Sequence, residues 1–294
     1  MRVGVTGGTG YLGPAVVEEM LREGHEVVAL EHRQKVPVGA HPRLTRVQGD
    51  VRDVTSLRGA FAGCDAVAHL VGIIREDRKK GKTFQRVHVE GTRNVVEAAR
   101  AEGVRRFLLM SANGVESGLD TPYFRTKLEM ERLVKDAGFD ATIFRPSYIA
   151  SAEEGGFDRQ FADIVDTFPV LPSFAGGKFL IQPIARRNVA QAFARALSTP
   201  ASVGKTYVLA GPERMTWNDY LRRLARVRGR KRVLAYAPGG VMVLTARALG
   251  PLFPADADAL RMLMIGNVGD NAEAVQDLGL ELERWEDAVS GLRR

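Results

Sequence analysis

The stretch VTGGTGYLG, residues 5–13, decides the fold. A short β-branched run leads into it, and a helical pattern of apolar residues follows. Two glycine registers fit equally well: Gly8, Gly10 and Gly13 form G-x-G-x-x-G, and Gly7, Gly10 and Gly13 form G-x-x-G-x-x-G. A glycine turn between a strand and a helix brings bare backbone and helix N–H groups close to a pyrophosphate. The stretch therefore predicts a dinucleotide-binding turn.

Strand and helix patterns alternate outward from this turn. The strand patterns lie at residues 3–6, 26–30, 44–48, 66–71, 106–110, 141–144, 179–184 and 206–209, and the helical patterns at 11–23, 55–61, 83–101, 123–136, 157–166 and 189–197. Such alternation predicts a parallel sheet covered by helices on both faces, with right-handed crossovers. The predicted fold class is α/β, a doubly wound parallel Rossmann sheet with a smaller, mainly helical C-terminal substrate lobe.

The alternation changes after Pro146. Residues 147–177 contain loops, a short helical pattern and a Pro/Gly-rich connection, and long irregular segments of this kind are usually functional. We therefore assign residues 1–146 to a dinucleotide-binding domain, and residues 147–177 and 211–294 to the substrate side. The strands predicted within residues 178–210 are expected to rejoin the main sheet.

The composition is that of an ordinary globular protein. The 294 residues allow a large core, and 45% of them are hydrophobic and 26% charged. Cys64 is the only cysteine, so neither an intrachain disulfide nor a thiolate cluster for zinc can form, and no metal site is predicted. The chain opens directly into a strand without a basic and apolar leader, so we expect a cytoplasmic protein.

Positive charge is spread along the chain, whose formal net charge is +7. The densest basic run, RRLARVRGRKR at residues 222–232, is interpreted as the solvated face and C-terminal end of a helix. The apolar segment at residues 235–255 is broken by prolines and glycines and is interpreted as a helix that covers a pocket. We expect no nucleic-acid partner. Peripheral association with the inner face of a membrane is the alternative that these two segments leave open.

Three residues at the end of the second strand bear on the choice of cofactor. Glu31 lies 18 positions after Gly13, where a carboxylate would hold an adenosine ribose and favour NAD. His32 and Arg33 follow at once and are suited to the 2′-phosphate of NADP. The sequence therefore predicts NAD or NADP without choosing between them.

The stretch MSANGVESGLDTPYFRTK, residues 110–127, ends in a Tyr/Lys pair. Tyr123 and Lys127 are four positions apart at the start of a predicted helix and project from one face. An ammonium near a phenol lowers the phenol pKa from its usual value of about 10, which allows acid or base catalysis on a hydroxyl or carbonyl. The helix follows the fifth strand of the predicted sheet, at the strand ends where ligands bind. The pair is therefore our candidate catalytic pair.

The chain resembles the extended and atypical short-chain dehydrogenase/reductase superfamily, the NAD-dependent epimerase/dehydratase group. The segments that carry the likeness are TGGTGYLG, GDVRD, HLVGI, HVEGTRNVVEAA and YFRTK…FRPS, and together they cover nearly the whole chain. The segment HVEGTRNVVEAARAEGVRRFLLMSANG is most similar to one branch. That branch includes the NAD(P)H-binding accessory subunit of respiratory complex I and its bacterial relatives.

The resemblance implies roles for particular residues. Tyr123 and Lys127 would be the catalytic pair, and Ser111 the hydroxyl that binds the substrate oxygen. Asp50 and Val51 would face the adenine, although Asp50 fits equally well as a turn or capping residue. The residues that the resemblance assigns to the dinucleotide are Gly7, Gly10, Tyr11, Leu12, Gly13, Glu31, His32, Arg33, Asp50, Val51, Leu70, Val71, Gly72, Lys127, Pro146 and Ser147.

The chain departs from the family pattern at three places. Ala112 or Asn113 stands where the reactive serine or threonine usually lies, with Ser111 just before it. His88 replaces the usual asparagine and is interpreted as a polar core residue, and Asn188 replaces a common aspartate. These departures leave the proton-transfer pair intact but change its surroundings.

Two hypotheses from different classes follow. The first is an NAD(P)-dependent oxidoreductase or epimerase that uses the Tyr/Lys pair on an unknown small-molecule substrate, and the intact pair favours it. The second is a non-catalytic accessory or sensor protein that holds the nucleotide and associates with respiratory complex I or quinone metabolism. The branch resemblance and the altered serine position favour the second.

Overall fold

The structure, a computed structural model, describes residues 1–249 and 257–293. Residues 250–255, the end of the predicted apolar segment, lie outside the described residues. The chain divides into two compact units. Unit 1 comprises Met1–Pro146, Arg187–Leu209 and Asn271–Glu281. Unit 2 comprises Ser147–Arg186, Ala210–Asp270 and Leu282–Arg294.

The secondary-structure elements alternate along the first half of the chain. The strands are β1 Arg2–Thr6, β2 Glu26–Glu31, β3 Leu44–Gln48, β4 Ala66–His69, β5 Arg106–Met110, β6 Asp140–Pro146, β7 Ile149–Ala150, β8 Val170–Phe174, β9 Leu180–Ile181, β10 Ile184–Ala185, β11 Thr206–Leu209, β12 Met215–Thr216 and β13 Val233–Ala237. The helices are α1 Gly13–Arg22, α2 Gly91–Ala101, α3 Pro122–Asp136, α4 Phe157–Thr167, α5 Arg186–Ala196, α6 Trp217–Val227, α7 Gly239–Leu249, α8 Ala257–Met264, α9 Ala272–Leu278 and α10 Trp285–Ala288. A π-helical turn, Gln85–Glu90, leads directly into α2.

Unit 1 is built on a parallel seven-stranded sheet. Its strand order is β11-β6-β5-β4-β1-β2-β3, and each pair of neighbours is parallel. Val67 in β4 and Phe107 in β5 are fully buried, as expected for a sheet with helices on both faces. The predicted doubly wound Rossmann sheet is confirmed.

The start of α3 is set by its own sequence. The Thr121 hydroxyl accepts a hydrogen bond from the Phe124 N–H at 3.2 Å, and Pro122 stands at the first helical position. A side-chain cap followed by proline is a strong start signal, because the first N–H groups of a helix lack partners within it. The cap fixes Tyr123 in the first turn of α3.

Two predicted elements differ from the structure. Residues 55–61 contain a 3₁₀ turn at Val54–Leu57 and no α-helix, because Gly59 has a φ of 70°, outside the right-handed helical region. Residues 179–184 hold β9 and the start of β10, which pair with β12 and β7 rather than with the main sheet. Pro183 separates β9 from β10 because it has no N–H for a ladder. Of the two late strands, β11 joins the main sheet and the predicted strand at 179–184 does not.

Unit 2 has its own aromatic core. Trp217 and Tyr220 of α6 are fully buried within it. Asp158 of α4 has no exposed surface, and its carboxylate accepts hydrogen bonds from the Ser151 N–H at 3.1 Å, the Tyr220 hydroxyl at 3.1 Å and the Trp285 indole N–H at 3.0 Å. Burial raises the pKa of Asp158 to about 6.

Most of the basic residues that follow α6 contact other residues of unit 2. Arg228 and Arg230 form ion pairs with Asp166 at 2.5 and 3.4 Å, and Arg232 donates a hydrogen bond to the Val165 carbonyl at 2.6 Å. The sequence predicted a solvated helix face, which would leave these positive charges in water, whereas here they contact protein groups. Within residues 1–249 and 257–293, no helix has both the length and the apolar character to cross a membrane.

Candidate active site

The glycine turn between β1 and α1 needs glycine at two positions. Gly7 has a φ of 79°, and a Cβ there would lie 2.9 Å from the Val71 nitrogen. A Cβ on Gly13 would lie 2.5 Å from the carbonyl carbon of Gly8. Gly10 is less constrained, with the nearest atom 3.3 Å from its Cβ position. The geometry therefore supports the register that starts at Gly7.

A cleft of about 530 Å³ opens beside this turn in unit 1. We call it the glycine-loop cleft. Most of its walls are formed by residues that follow β1, β2, β3 and β4, so it lies at the carboxyl ends of neighbouring strands, where open α/β sheets bind ligands. The residues that line it are Gly7, Thr9, Gly10, Leu30, His32, Arg33, Gln34, Gly49, Asp50, Val51, Arg52, Leu70, Val71, Gly72, Ile73, Lys80, Lys82 and Val87.

The glycine-loop cleft gathers nine of the residues assigned to the dinucleotide. These are Gly7, Gly10, His32, Arg33, Asp50, Val51, Leu70, Val71 and Gly72. Seven assigned residues of the described chain lie outside its lining: Tyr11, Leu12, Gly13, Glu31, Lys127, Pro146 and Ser147. Ser147 donates its hydroxyl to the Gln182 carbonyl at 2.6 Å. The bare glycine backbone and the mixed apolar and cationic lining fit a dinucleotide.

Glu31 is engaged inside the protein. It is 2% exposed, and its carboxylate accepts a hydrogen bond from the Val36 N–H at 2.8 Å and forms an ion pair with Arg46 at 3.1 Å. The next residues, His32 and Arg33, line the cleft. The carboxylate that would favour NAD is therefore occupied by protein groups, while His32 and Arg33 line the cleft.

Positive charge dominates the lining of the glycine-loop cleft. Its charged side chains are Arg33, Arg52, Lys80, Lys82 and Asp50. Asp50 contacts Arg52 at 2.7 Å and His32 at 3.1 Å, and although burial alone would raise its pKa, the hydrogen bonds from Arg52 hold that pKa below its usual value. Sequence reasoning missed Lys80 and Lys82. The run DRKKGK at residues 77–82, which follows β4, was the available signal.

Tyr123 lies in an aromatic surround. Its ring packs edge-on against Phe84 and His88, each with a centroid distance of 5.7 Å. Burial raises the pKa of Tyr123 to about 12, so the predicted lowering by Lys127 is wrong for this structure. The physical reason is that burial opposes formation of the phenolate. At neutral pH the phenol is protonated and can donate a proton.

Lys127 is buried below the wall of the glycine-loop cleft. It is 2% exposed, and its Nζ donates a hydrogen bond to the Met110 carbonyl at 3.0 Å. A Cβ on Gly72, which lines the cleft, would lie 3.0 Å from that Nζ. Burial lowers the pKa of Lys127 to about 8, and the charge of Glu131 opposes this shift. The absence of a side chain at Gly72 therefore leaves room for the ammonium beneath the wall.

Two buried histidines pack near Lys127. His88 accepts a hydrogen bond from the Ile73 N–H at Nε2, 3.0 Å, and contacts the Thr126 hydroxyl at Nδ1, 2.9 Å. His69 contacts hydroxyl groups through both ring nitrogens. Burial, together with the charge of Lys127, lowers the pKa of His88 to about 2 and that of His69 to about 3. Both rings are neutral at working pH, and His88 links the loop after β4 to α3.

Ser111 is engaged with α3. It is 3% exposed, and its hydroxyl donates to Glu131 Oε1 at 2.5 Å. The neighbouring loop is held by the Asn113 N–H, which donates to the Pro146 carbonyl at 2.9 Å. Asn188 donates its side-chain amide to the Glu281 carbonyl at 2.7 Å. The Ser111 hydroxyl therefore has a protein partner at the place where the resemblance expected a substrate contact.

Comparisons with known proteins agree with this geometry. The family model described as NAD(P)H-binding matches residues 7–200. A 3-beta-hydroxysteroid dehydrogenase from Mycolicibacterium neoaurum is 41% identical over 124 residues, which are 40% of this chain and 33% of that protein. NADH dehydrogenase (ubiquinone) 1 alpha subcomplex subunit 9, mitochondrial, from Mus musculus is 31% identical over 217 residues, 71% of this chain and 56% of that protein. The chain thus spans only a third to about half of the length of these two relatives.

Solved structures support the fold. The dTDP-glucose 4,6-dehydratase DesIV from Streptomyces venezuelae, crystallised with NAD, has a TM-score of 0.76 at 21% identity, covering 98% of this chain and 94% of that one. A short-chain dehydrogenase/reductase superfamily protein from Agrobacterium tumefaciens with bound NAD has a TM-score of 0.75 at 23% identity, covering 99% and 95%. The family model confirms the NAD(P)H-binding family that the resemblance implied, and the two solved structures share the predicted fold.

Proposed function

The chain belongs to the NAD(P)H-binding family, and on that premise we propose that it is an NADP(H)-dependent oxidoreductase that acts on a carbonyl or hydroxyl group. Within the glycine-loop cleft, Gly7 and Gly10 would hold the pyrophosphate, and Val51 would contact the adenine. The nicotinamide, when bound, supplies the hydride chemistry. The chain itself supplies binding, orientation and the proton.

The observation that carries this proposal is the placement of Tyr123 one helical turn before the buried Lys127 on α3. A phenol with a pKa of about 12 holds its proton at neutral pH, so it suits protonation of a carbonyl oxygen during reduction. Lys127 lies directly below the cleft wall at Gly72, where its ammonium would stabilise negative charge that develops on a substrate oxygen.

The cleft favours NADP over NAD. Recognition of a 2′-phosphate needs cationic donors, and a free carboxylate at the same place would oppose it. Glu31 is already bound by the Val36 N–H and Arg46, while Arg33, Lys80 and Lys82 line the cleft. We propose Arg33 as the main ligand of the 2′-phosphate because it lies two residues after the end of β2 and lines the cleft.

A substrate screen tests the catalytic role. NADPH consumption would be measured with panels of aldehydes, ketones, quinones and steroid ketones, and Tyr123→Phe is expected to lower turnover by about 10²- to 10⁴-fold because it removes the proton donor. The control is Tyr236→Phe, which alters a 70% exposed tyrosine of unit 2. Equal turnover by Tyr123→Phe and the parent would contradict the role given to Tyr123.

A second candidate function is supported by Ser111. Its hydroxyl is bound by Glu131, and Ala112 follows it, so the usual substrate-binding hydroxyl is missing from this register. The protein would then hold NADP(H) without turnover and stabilise an assembly, as the similarity to a mitochondrial complex I subunit suggests. Affinity capture from the membrane fraction of the native cells would test it. Recovery of respiratory-chain subunits only when NADPH is present supports this function, and a protein found alone in the cytosolic fraction contradicts it.

A further inference from the structure

Glu131 is a buried carboxylate on the same face of α3 as the catalytic pair. Tyr123, Lys127 and Glu131 follow one another at intervals of four residues, which aligns them along the helix. Glu131 is 2% exposed. It accepts hydrogen bonds from the Ser111 hydroxyl at 2.5 Å and from Arg145 Nε and Nη2 at 2.9 and 2.7 Å. One carboxylate thus joins α3 to the ends of both β5 and β6.

Lys127 makes the neighbouring contact to the same strand end. Its Nζ donates to the Met110 carbonyl at 3.0 Å, and Met110 and Ser111 are consecutive residues where β5 ends. Two side chains one turn apart on α3 therefore hold two consecutive residues of the chain. Because both contacts are buried and charge-assisted, they resist sliding of α3 along β5 more strongly than neutral contacts would.

Arg145 keeps this carboxylate in place. Its guanidinium lies between Glu131 and Glu116, at 2.7 and 2.5 Å. Hydrogen bonds to these carboxylates raise the pKa of Arg145 above its usual value, so the guanidinium stays charged. The Glu131 carboxylate is thus paired with a guanidinium, and its negative charge acts on Lys127 one turn away.

We infer that Ser111 is a positioning residue, which anchors the Glu131 carboxylate so that α3 presents Lys127 and Tyr123 in a fixed register to the glycine-loop cleft. The inference rests on the proposed function, because it concerns the same catalytic pair. It replaces the substrate contact expected for Ser111 with a contact inside the protein. Glu131 acts on the pair through the helix and through its charge, and touches neither substrate nor cofactor.

The test uses two readouts that need no substrate. The first is the titration of the Lys127 side chain, followed by NMR in protein labelled with ¹³C at lysine Cε and assigned with Lys127→Arg. The groups that face Lys127 are the Met110 carbonyl, Glu131, and the buried rings of His69 and His88, which stay neutral in the titrated range. The second is the Kd for NADPH by calorimetry.

Substitutions that break the contact between Ser111 and Glu131 should change both the Lys127 titration and the Kd for NADPH. Glu131→Gln removes a negative charge that raises the pKa of Lys127, so the titration should move to lower pH, by about half a unit or more for charges one helical turn apart. Ser111→Ala should shift it in the same direction by less, and raise the Kd for NADPH about fivefold. Ser111→Thr keeps a hydroxyl and should restore the parental titration. The double variant should be no worse than Glu131→Gln alone, because the two residues act as one unit.

A matched control separates positioning from general stability. Ser202 is also a buried serine in unit 1, and its hydroxyl accepts a hydrogen bond from Arg106 at 2.8 Å. Ser202→Ala should lower thermal stability as Ser111→Ala does, while leaving the Lys127 titration and the NADPH Kd unchanged. If Glu131→Gln does not fold, the series Ser111→Ala, Ser111→Thr and Ser202→Ala decides the question alone.

Two outcomes would overturn the inference. In one, Ser111→Ala leaves the Lys127 titration and the NADPH Kd at parental values. In the other, the effects of Ser111→Ala and Glu131→Gln add, which means that the two residues act independently. Absence of turnover with every substrate would contradict the proposed function and leave this inference standing, since neither readout depends on turnover.

Discussion

At the scale of single residues, the end of β2 shows what sequence alone could not decide. Glu31 and Arg33 were both candidates for the adenosine ribose, and their order in the chain did not say which one faces the ligand. The contacts that occupy Glu31 come from Val36 and Arg46, which follow β2 in the chain, and a strand pattern does not reveal them. The proposed preference for NADP therefore rests on tertiary contacts.

The first prediction concerns Arg33. Arg33→Ser removes the proposed partner of the 2′-phosphate and should raise the Kd for NADPH about 10- to 100-fold, the equivalent of a charge-assisted hydrogen bond. The Kd for NADH should stay within about twofold, since NADH lacks that phosphate. Calorimetric titration measures both constants. Lys35→Ser, a change two positions away and outside the cleft lining, is the matched control, and an equal loss of NADH binding in Arg33→Ser would argue against the assignment.

The second prediction concerns His88. Its folded pKa of about 2 lies below the unfolded value of about 6.5, so the unfolded state takes up a proton first as pH falls. The stability is therefore fully present above pH 6.5 and is lost progressively below it, by about 1.4 kcal/mol per pH unit. His88→Asn should reduce the loss in unfolding free energy between about pH 6.5 and 4.5 by about 2 kcal/mol.

Denaturant unfolding at several pH values measures this effect. At pH 8 the imidazole of His88 is neutral in both the folded and the unfolded protein. The same comparison at that pH therefore measures only the packing cost of the substitution. His69 and His25, whose pKa values burial also lowers, are unchanged in the variant and should preserve their part of the acid slope. An acid slope in His88→Asn as steep as in the parent would show that His88 does not titrate between the two states.

At the scale of elements, the sequence predicted the glycine turn, the alternation and the start of the helix that carries Tyr123, because each depends on local backbone chemistry. The turn requires Gly7 and Gly13, and the cap requires Thr121. The single strand predicted at residues 179–184 is wrong. The apolar run favoured a strand, but Pro183 has no N–H to donate to a ladder and separates β9 from β10. The sequence could not predict the hydrogen bond between Ser111 and Glu131, because the two residues are 20 positions apart in the chain.

The third prediction tests the glycine turn. Gly13→Ala puts a Cβ against backbone atoms of Gly8 and Gly7, which cannot move without distorting the turn. The variant should lose about 1–3 kcal/mol of unfolding free energy and bind NADPH more weakly. Gly39→Ala is the control, because no atom lies within 4 Å of its Cβ position. Equal melting temperatures and NADPH affinities for the two variants would contradict the packing argument.

At the scale of the whole molecule, each of the two units is built from separate segments of the chain, and the sequence does not show which segments belong together. Residues 271–281, which the sequence assigned to the substrate side, belong to unit 1. Lys205, just before β11, forms ion pairs with Glu273 and Asp277 of that segment at 2.9 and 2.6 Å, and local patterns cannot reveal such contacts. The fold class was predictable because alternation repeats over many residues, whereas the return of a short late helix to the first unit depends on such single contacts.

The most direct test of the account is the thermal stability of the intact protein with NADPH and with NADH. A ligand that binds the folded state raises stability by RT ln(1 + [L]/Kd), so a tenfold difference in Kd appears as about 1.4 kcal/mol at saturating concentration. The account predicts a larger rise in melting temperature with NADPH than with NADH at every concentration, and loss of the difference in Arg33→Ser. An equal or larger rise with NADH, or no rise with either, would contradict it.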